Sequence, residues 1–564
     1  MNRPEATPQR AAATVAWIAI VLGALVRTWA LSRRGSLWLD EAALALNVMT
    51  RTFGGLLHRL DWGQAAPVGY LWLERALAGH AKAPDTWLRI VPFVSGATLP
   101  WLMWVLGRRV LGTAAGALGA VVAAGSMLAL RYSTEAKPYA SDAAVAAALV
   151  VLAAAAIDEP TRMRRWQALA AGFVLGVLLS LPAVFVVAAV AVALAMEPAV
   201  RNARGARTVA APALAVAALV FVALWYTSYG AGATDSSLRG YWSPVMLDLT
   251  ADDRVVRVVR VLMELTWIPL RWTGSLLGAA AGTILWITGL AAVAQRRRSH
   301  AVLLAGPVLL AMAASVAGKY PLSDRLAFFA VPGVWMAQAA ALVRVRNTLL
   351  SSRSVLANAR AAAAFVVTAA VCLAVWQATD SVRFLRDPGT LEPTRQLFAS
   401  VDADAATAPV YVFARSAPAW LVATHDGPWV GNARLARWTA LAGAAGAPGA
   451  ENAARSRPVR PGEGDSLVVR TTARTELVGL APGVSYRIAG APSAAEPSPG
   501  WAVEEARRLA AMAQPTVWLV ASHFFAGSPR NELRPLIEAA AAAGLRVVEE
   551  RDAGADVIAL RLTR

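Results

Sequence analysis

The sequence predicts an α-helical polytopic membrane protein of about eleven transmembrane helices, followed by a soluble α/β domain. Three observations predict it. Of 564 residues, 57% are hydrophobic and only 16% charged, with a mean hydropathy of +0.49. Soluble domains average roughly 45–50% apolar and about 25% charged, and disordered chains are poorer still in apolar residues. The apolar residues gather into stretches close to the ~20 residues a bilayer span needs. From Asp380 onward Pro, Gly and charge rise and the apolar runs shorten.

The spans read, in order, as Ala11–Leu31, Val91–Leu106, Thr113–Leu130, Tyr139–Ile157, Gln167–Leu181, Pro182–Met196, Val209–Tyr229, Gly274–Ala294, Ala301–Ala317, Leu326–Val343 and Ala361–Ala378. Pro182 divides the fifth from the sixth; the alternative is one long helix bent at the proline. No convincing cleavage site follows Ala11–Leu31, so it reads as a retained helix rather than a signal peptide.

The short alternate loops are Arg-dense: Arg108–Arg109, Arg162/Arg164/Arg165, Arg201/Arg204/Arg207, Arg296–Arg298 and Arg344/Arg346/Arg353/Arg360. With Arg3 and Arg10 they hold 17 basic residues, at about twice the density of the other loops. The positive-inside rule places that set in the cytoplasm. The N-terminus is then inside and everything after Ala378 outside. Two outside loops are long, Ser32–Ile90 and Gly230–Thr273. Both carry amphipathic, Trp-bearing stretches, Trp38–Val48 and Val255–Trp267, of the kind that lie in the interface.

Residues 1–379 form the membrane domain and 380–564 the extracytoplasmic one. In the latter, Val410–Phe413, Val517–Val520, Leu545–Glu549 and Val557–Leu562 read as strands. Trp501–Met512 and Asn531–Ala543 read as helices, an alternation that predicts α/β structure. Leu441–Gly464, rich in Ala, Gly, Pro and Arg, reads as a flexible loop.

The formal charge of +18 resides in the membrane part, which holds 34 basic and 17 acidic residues against 20 and 19 in the tail. It is therefore topology signal, not a nucleic-acid face. Cys372 is the only cysteine, so there is neither a disulfide nor a Cys-based metal site.

Ionisable residues at the ends of membrane helices are costly and usually functional. Three outside clusters stand out. The first is Arg33–Glu41, where Asp40 and Glu41 differ by ~100° around a helix. One can face a site while the other caps or pairs; alternatively Asp40 merely favours the helix N-terminus. The second is Arg131–Asp142, with Glu135 and Lys137 in a turn where two spans converge. Its bland alternative is a capping Glu and a snorkelling Lys. The third is Gly318–Leu326, where Lys319 and Arg325 flank a proline turn at the depth of a lipid phosphate; ordinary headgroup anchoring is the alternative. Only three Lys stand against 51 Arg, yet two of the three fall in these clusters.

The order of these features resembles the membrane glycosyltransferases of the GT-C fold. Within them it is similar to bacterial proteins related to protein O-mannosyltransferases and aminoarabinose transferases. The resemblance is carried by Leu39-Asp40-Glu41, the Pro-bearing stretch Gln64–Tyr70, Leu88-Arg89-Ile90 through Arg108-Arg109, the motif Tyr132–Tyr139 and the turn Tyr320–Leu326. It spans residues 11 to about 343. The family often has His before the loop proline; this chain has Gln64.

The resemblance implies an inverting enzyme at the outer face of the bacterial cytoplasmic (inner) membrane. It would move a sugar from a polyprenyl-phosphate donor to a glycan, lipid or protein acceptor. It implies Asp40 as general base, with Glu41 the other candidate. Lys137 and Arg325, supported by Lys319, would hold the donor phosphate. Glu135, Tyr139 and Tyr320 would orient donor or sugar. The resemblance leaves metal dependence open; if a divalent metal, Mg or Mn, is used, Asp40 and Glu135 are the candidate oxygen ligands. Two rival readings are an O-antigen ligase or polymerase, with chemistry at Asp248, Asp252 and Asp253, and a lipid-linked sugar transporter or flippase.

Overall fold

The computed structural model of the chain describes residues 6–79, 81, 84–229, 242, 245–267, 276–322, 325–351, 378–386, 393–404, 408, 410–413, 416–424, 429, 467–471, 475–481, 484–489, 501–511, 515–522, 529–554 and 557–564. Ten of the eleven expected spans are helical. The eleventh, Ala361–Ala378, lies outside the described residues apart from its last, as does Cys372. Among the described residues, six helical stretches are long and apolar enough to cross a membrane, including Gln9–Ser32, Tyr139–Asp158 and Ala206–Tyr229. The chain is a multi-pass membrane protein.

Helix α1 (Ala6–Ser32) leads into a long connection holding α2 (Leu39–Thr50), α3 (Val68–Ala78) and α4 (Pro84–Trp87). Then come α5 (Ile90–Val110), α6 (Thr113–Gly125), α7 (Met127–Tyr132), α8 (Tyr139–Asp158), α9 (Met163–Leu179), α10 (Ala183–Ala195), α11 (Pro198–Arg201) and α12 (Ala211–Leu224). Next come α13 (Arg254–Trp267), α14 (Leu276–Arg296), α15 (Arg298–Val316) and α16 (Val331–Ser351).

Two expected boundaries are sharpened. The span Thr113–Leu130 breaks at Ser126, whose backbone turns extended; its hydroxyl then accepts the Ala129 N–H and caps α7. Around Pro182 there are two helices, not one bent helix, because Ser180 is extended at the end of α9 and Pro182 starts α10.

Helix α8 sits at the centre of the bundle, with Ala at most of its buried positions. Small side chains let neighbouring helices approach closely, which drives packing where lipid offers no hydrophobic gain. Large apolar side chains such as Leu22, Leu25, Leu175 and Leu219 are instead exposed on the outside of the bundle, where lipid would cover them. At one end, Asp158 pairs with Arg109 (3.4 Å) and Arg297 (2.9 Å), and Arg297 also reaches Glu197 (2.9 Å). Four Arg-rich turns therefore share one end, as the alternation of spans requires.

At the opposite end stands the tail: α17 (Thr394–Asp404), β1 (Val410–Phe413), α18 (Ala417–Thr424), β2 (Leu467–Thr471), β3 (Thr475–Ala481), β4 (Val484–Ala489), α19 (Trp501–Ala510), β5 (Thr516–Ser522), α20 (Pro529–Ala542), β6 (Arg546–Asp552) and β7 (Val557–Thr563). The seven strands form one mixed sheet, ordered β2-β3-β4-β1-β5-β7-β6, with β1 parallel to both neighbours. The four expected strands are present; β2 to β4 were not expected, and the stretch Leu441–Gly464 lies outside the described residues. Phe398 of α17 and Trp420 of α18 share an apolar cluster with Leu44, Val48 and Met49 of α2. The tail thus packs on the first long connection. Its leading helical residues return to the bundle, where Ser381 donates to the Gly125 carbonyl.

Candidate functional site

The site is built where α2, the turn before α8 and the loop before α16 meet, at the end opposite the Arg-rich turns. Its frame is Glu41. At the first turn of α2 this carboxylate accepts the Trp38 N–H (3.2 Å) and turns inward, where it is 1% exposed. Arg89, at the start of α5, bonds it at 2.9 Å and the Ala136 N–H at 2.6 Å. Burial works against its charge, but Arg89, Arg34 and the Ala136 N–H outweigh burial and hold its carboxyl below the usual 4.5. Glu41 is therefore the paired member of the acidic couple, and its bond to Ala136 sets α2 against the 133–138 turn.

That bond brings Asp40 and Lys137 to the same pocket. Asp40 Oδ2 lies 2.8 Å from Arg325 Nη1, and both side chains are 24% exposed. The Arg325 guanidinium also lies over the rings of Trp38 (5.6 Å) and Tyr139 (5.9 Å). Lys137 is 5% exposed and donates to Gln64 Oε1 at 2.6 Å. Burial pushes its ammonium below the usual 10.5, against the charge of Asp40, which holds it up.

Gln64, singled out in the sequence only for replacing a His, is thus part of the site. Its amide is aimed by its neighbours: Nε2 donates to the Trp62 carbonyl (3.3 Å), leaving Oε1 for Lys137. Trp62 reaches this geometry at φ +62°, a left-handed backbone that costs an aromatic residue roughly 1–3 kcal/mol. Strain of this kind is kept where a side chain must be held in place.

The remaining candidates divide. Glu135 is buried and bonded to Arg131 (2.7 Å), with Arg34 at 3.6 Å. Tyr320 donates to the Leu326 carbonyl (2.7 Å) and sets its ring edge-on to Phe185, closing the loop that carries Arg325. Tyr139 lies beneath Arg325 and edge-on to Tyr132. Lys319, by contrast, is exposed. The 133–138 turn seats against α5 because Gly96 has no Cβ; one built there would meet Ser133 Cβ at 2.3 Å.

The two carboxylates expected as metal ligands, Asp40 and Glu135, are each engaged by arginine. Glu135 is held by two arginines and Asp40 by a third, and among the described residues no three His, Cys, Asp or Glu converge. The acids of the later loop are engaged locally. Asp248 accepts from Thr250 and Asp253 from Arg257.

One cluster therefore joins Asp40, Glu41 and Glu135 to Arg34, Arg89, Arg131, Lys137 and Arg325. Glu74 and the Asp85–Arg395 pair adjoin it; around Asp40 itself two cations, Lys137 and Arg325, stand against one carboxylate, a surplus that attracts an anion. Asp40 is the partly exposed carboxylate of the cluster's three.

Residues 65–226 match the sequence family described as dolichyl-phosphate-mannose-protein mannosyltransferase. No curated protein matches the chain. Among solved structures, ArnT from Cupriavidus metallidurans in the apo state superposes with a TM-score of 0.50 at 13% identity, covering 97% of this chain and 98% of that one. The same protein bound to undecaprenyl phosphate gives 0.49 at 14% identity, covering 96% and 97%. The Archaeoglobus fulgidus oligosaccharyltransferase in the apo form gives 0.46 at 13% identity; the match covers 75% of this chain and 64% of that one. The chain has the GT-C fold and resembles the protein O-mannosyltransferase-related proteins of that fold.

Proposed function

We propose that the chain is an inverting glycosyltransferase that moves a hexosyl or pentosyl unit from a polyprenyl-phosphate donor to a hydroxyl acceptor on a glycan, lipid or protein. The observation that carries this reading is the Asp40–Arg325 pair beside Lys137, two cations against one carboxylate. The acceptor oxygen attacks the anomeric carbon and its proton passes to Asp40. The bond from that carbon to the phosphate oxygen breaks, and the electron pair leaves with the lipid phosphate. Lys137 and Arg325 hold the charge that grows there. Glu41 and Glu135 are buried in their arginine pairs while Asp40 is partly exposed in its own, so a single carboxylate serves the reaction. That suits one displacement with inversion rather than a covalent intermediate.

In the pair as it stands, Arg325 occupies Asp40. A donor phosphate would draw Arg325 onto itself and leave Asp40 free to take the acceptor proton. Donor would then bind before acceptor. The match to a family named for dolichyl-phosphate-mannose supports a polyprenyl donor.

Lys137→Met and Arg325→Met should each weaken binding of undecaprenyl phosphate about 10- to 100-fold, the worth of one charge-assisted bond. Thermal melting in detergent should stay near wild type. Normal lipid affinity in both variants would refute the phosphate site. Lys137 is charged below its pKa, and burial lowers that pKa. Lipid affinity should therefore fall with rising pH before the usual 10.5 is reached. The Lys137→Arg variant, charged throughout, should lack that alkaline fall. A pH series of binding isotherms checks this.

We further propose that the site faces outward from the bacterial cytoplasmic membrane and that the Arg-rich turns face the cytoplasm. Reporter fusions after Arg344 and after Asp380 should report opposite sides; the same side for both would refute the orientation.

A further inference from the structure

One turn deeper in α8 than Tyr139, on the same helix face, lies a carboxyl that none of this chemistry uses. Asp142 is only 8% exposed, inside a membrane helix, and no cation pairs with it among the described residues. The hydroxyl of Ser180, in the extended break between α9 and α10, stands beside it. Even so, neither Asp142 Oδ1 nor Ser180 Oγ has a hydrogen bond of normal geometry among the described residues. Tyr70 of α3 and Tyr320 of the Arg325 loop both lie within electrostatic range of Asp142.

A buried polar group left without partners costs about 1–3 kcal/mol, and native proteins keep few of them. Within a bilayer the cost is higher, and such residues usually line a path for polar substrate. The helical rise puts Asp142 ~5 Å deeper than Tyr139, and Tyr139 lies directly under Arg325. A group bonded to a phosphate at Arg325 and Lys137 reaches this depth when it projects along α8. The unmade bonds are acceptor and donor positions on two neighbouring elements, which suits the hydroxyls of a sugar ring.

We propose that Asp142 and Ser180 form a subsite that binds hydroxyl groups of the donor's sugar. Asp142 accepts from a sugar hydroxyl, and Ser180 donates to or accepts from its neighbour. This deepens the glycosyltransferase reading and rests on it. The sugar then adds affinity beyond that of the lipid phosphate, through residues that leave the phosphate contact untouched.

The test measures two affinities in the full chain in detergent: for undecaprenyl phosphate, and for undecaprenyl phosphate carrying mannose, glucose or arabinose. For wild type, at least one sugar should raise affinity over the bare lipid phosphate. Asp142→Asn and Ser180→Ala should remove most of that increment, about tenfold or more for the Asp. Their affinity for bare undecaprenyl phosphate should stay at wild type. Thermal stability of Asp142→Asn should be equal or higher, because a buried unpaired carboxyl is relieved. Variants that keep the sugar increment overturn the proposal. So do variants that lose stability and both affinities together, since that is a packing role. If no sugar raises wild-type affinity while bare undecaprenyl phosphate binds, the subsite falls and the phosphate site survives. If wild type binds neither lipid, the donor reading itself fails and takes the subsite with it.

Discussion

Asp40→Asn should lower turnover by about 10²- to 10⁴-fold, the usual contribution of a general base and roughly 3–5 kcal/mol of barrier. Asn keeps the size of Asp and can still accept a hydrogen bond from Arg325. It cannot take a proton. Donor affinity should therefore hold, or rise as Arg325 is released from a carboxylate 2.8 Å away. Single-turnover rates with saturating donor check the first effect, and lipid binding checks the second. A mere helix-end role predicts the reverse: Asp40 lies in the first turn of α2 after Trp38 as N-cap, so Asn and Ala would each cost only about 0.3–1 kcal/mol of stability and turnover per folded molecule would survive. Activity in both variants would move the base out of the first connection altogether.

Glu41→Ala should act on the fold rather than on the chemical step. It strands Arg89 in the interior and leaves the Ala136 N–H without its carboxylate, and breaking a buried pair from one side costs about 3–5 kcal/mol. The protein should melt well below wild type in detergent. Glu41→Gln, which retains an acceptor, should lose less, and its surviving folded fraction should turn over. A stable Glu41→Gln with no turnover, beside an active Asp40→Asn, would exchange the roles of the two residues. The pH dependence has a definite sign. The folded-state pKa of Glu41 is below its ordinary 4.5. Its contribution is therefore complete above that value and is lost as pH falls through the lowered one. Acid melting curves of Glu41→Gln should lack this part of the wild-type slope.

Much of this molecule was legible from one dimension. The spans were readable because a bilayer accepts only long apolar stretches, and their alternation with Arg fixes which turns share an end. Pro182 and the turn at Pro138 announced themselves through proline's missing N–H. The strands at 410–413, 517–520 and 557–562 stood out as short β-branched runs between helices. Strands β2 to β4 did not, lying within a tail where Arg, Gly and Ala interrupt every apolar run.

The sequence by itself determined a multi-pass membrane chain with ionisable residues gathered at helix ends, and it named Asp40, Glu41, Glu135, Lys137 and Arg325 among them. It could state that Asp40 and Glu41 point in different directions, because a helix turns ~100° per residue. Which one points inward was decided only by Arg89 and the Ala136 N–H, 48 and 95 residues away. The pairing of Asp40 with Arg325, the hold of Gln64 on Lys137 and the exposure of Lys319 are likewise contacts across the chain. So is the meeting of Asp142 with Ser180, where neither Asp142 Oδ1 nor Ser180 Oγ has a hydrogen bond of normal geometry among the described residues. Charge and periodicity are local and can be read along a sequence. The partner that a buried charge finds, or lacks, depends on which distant segments pack around it, and only the tertiary structure decided that.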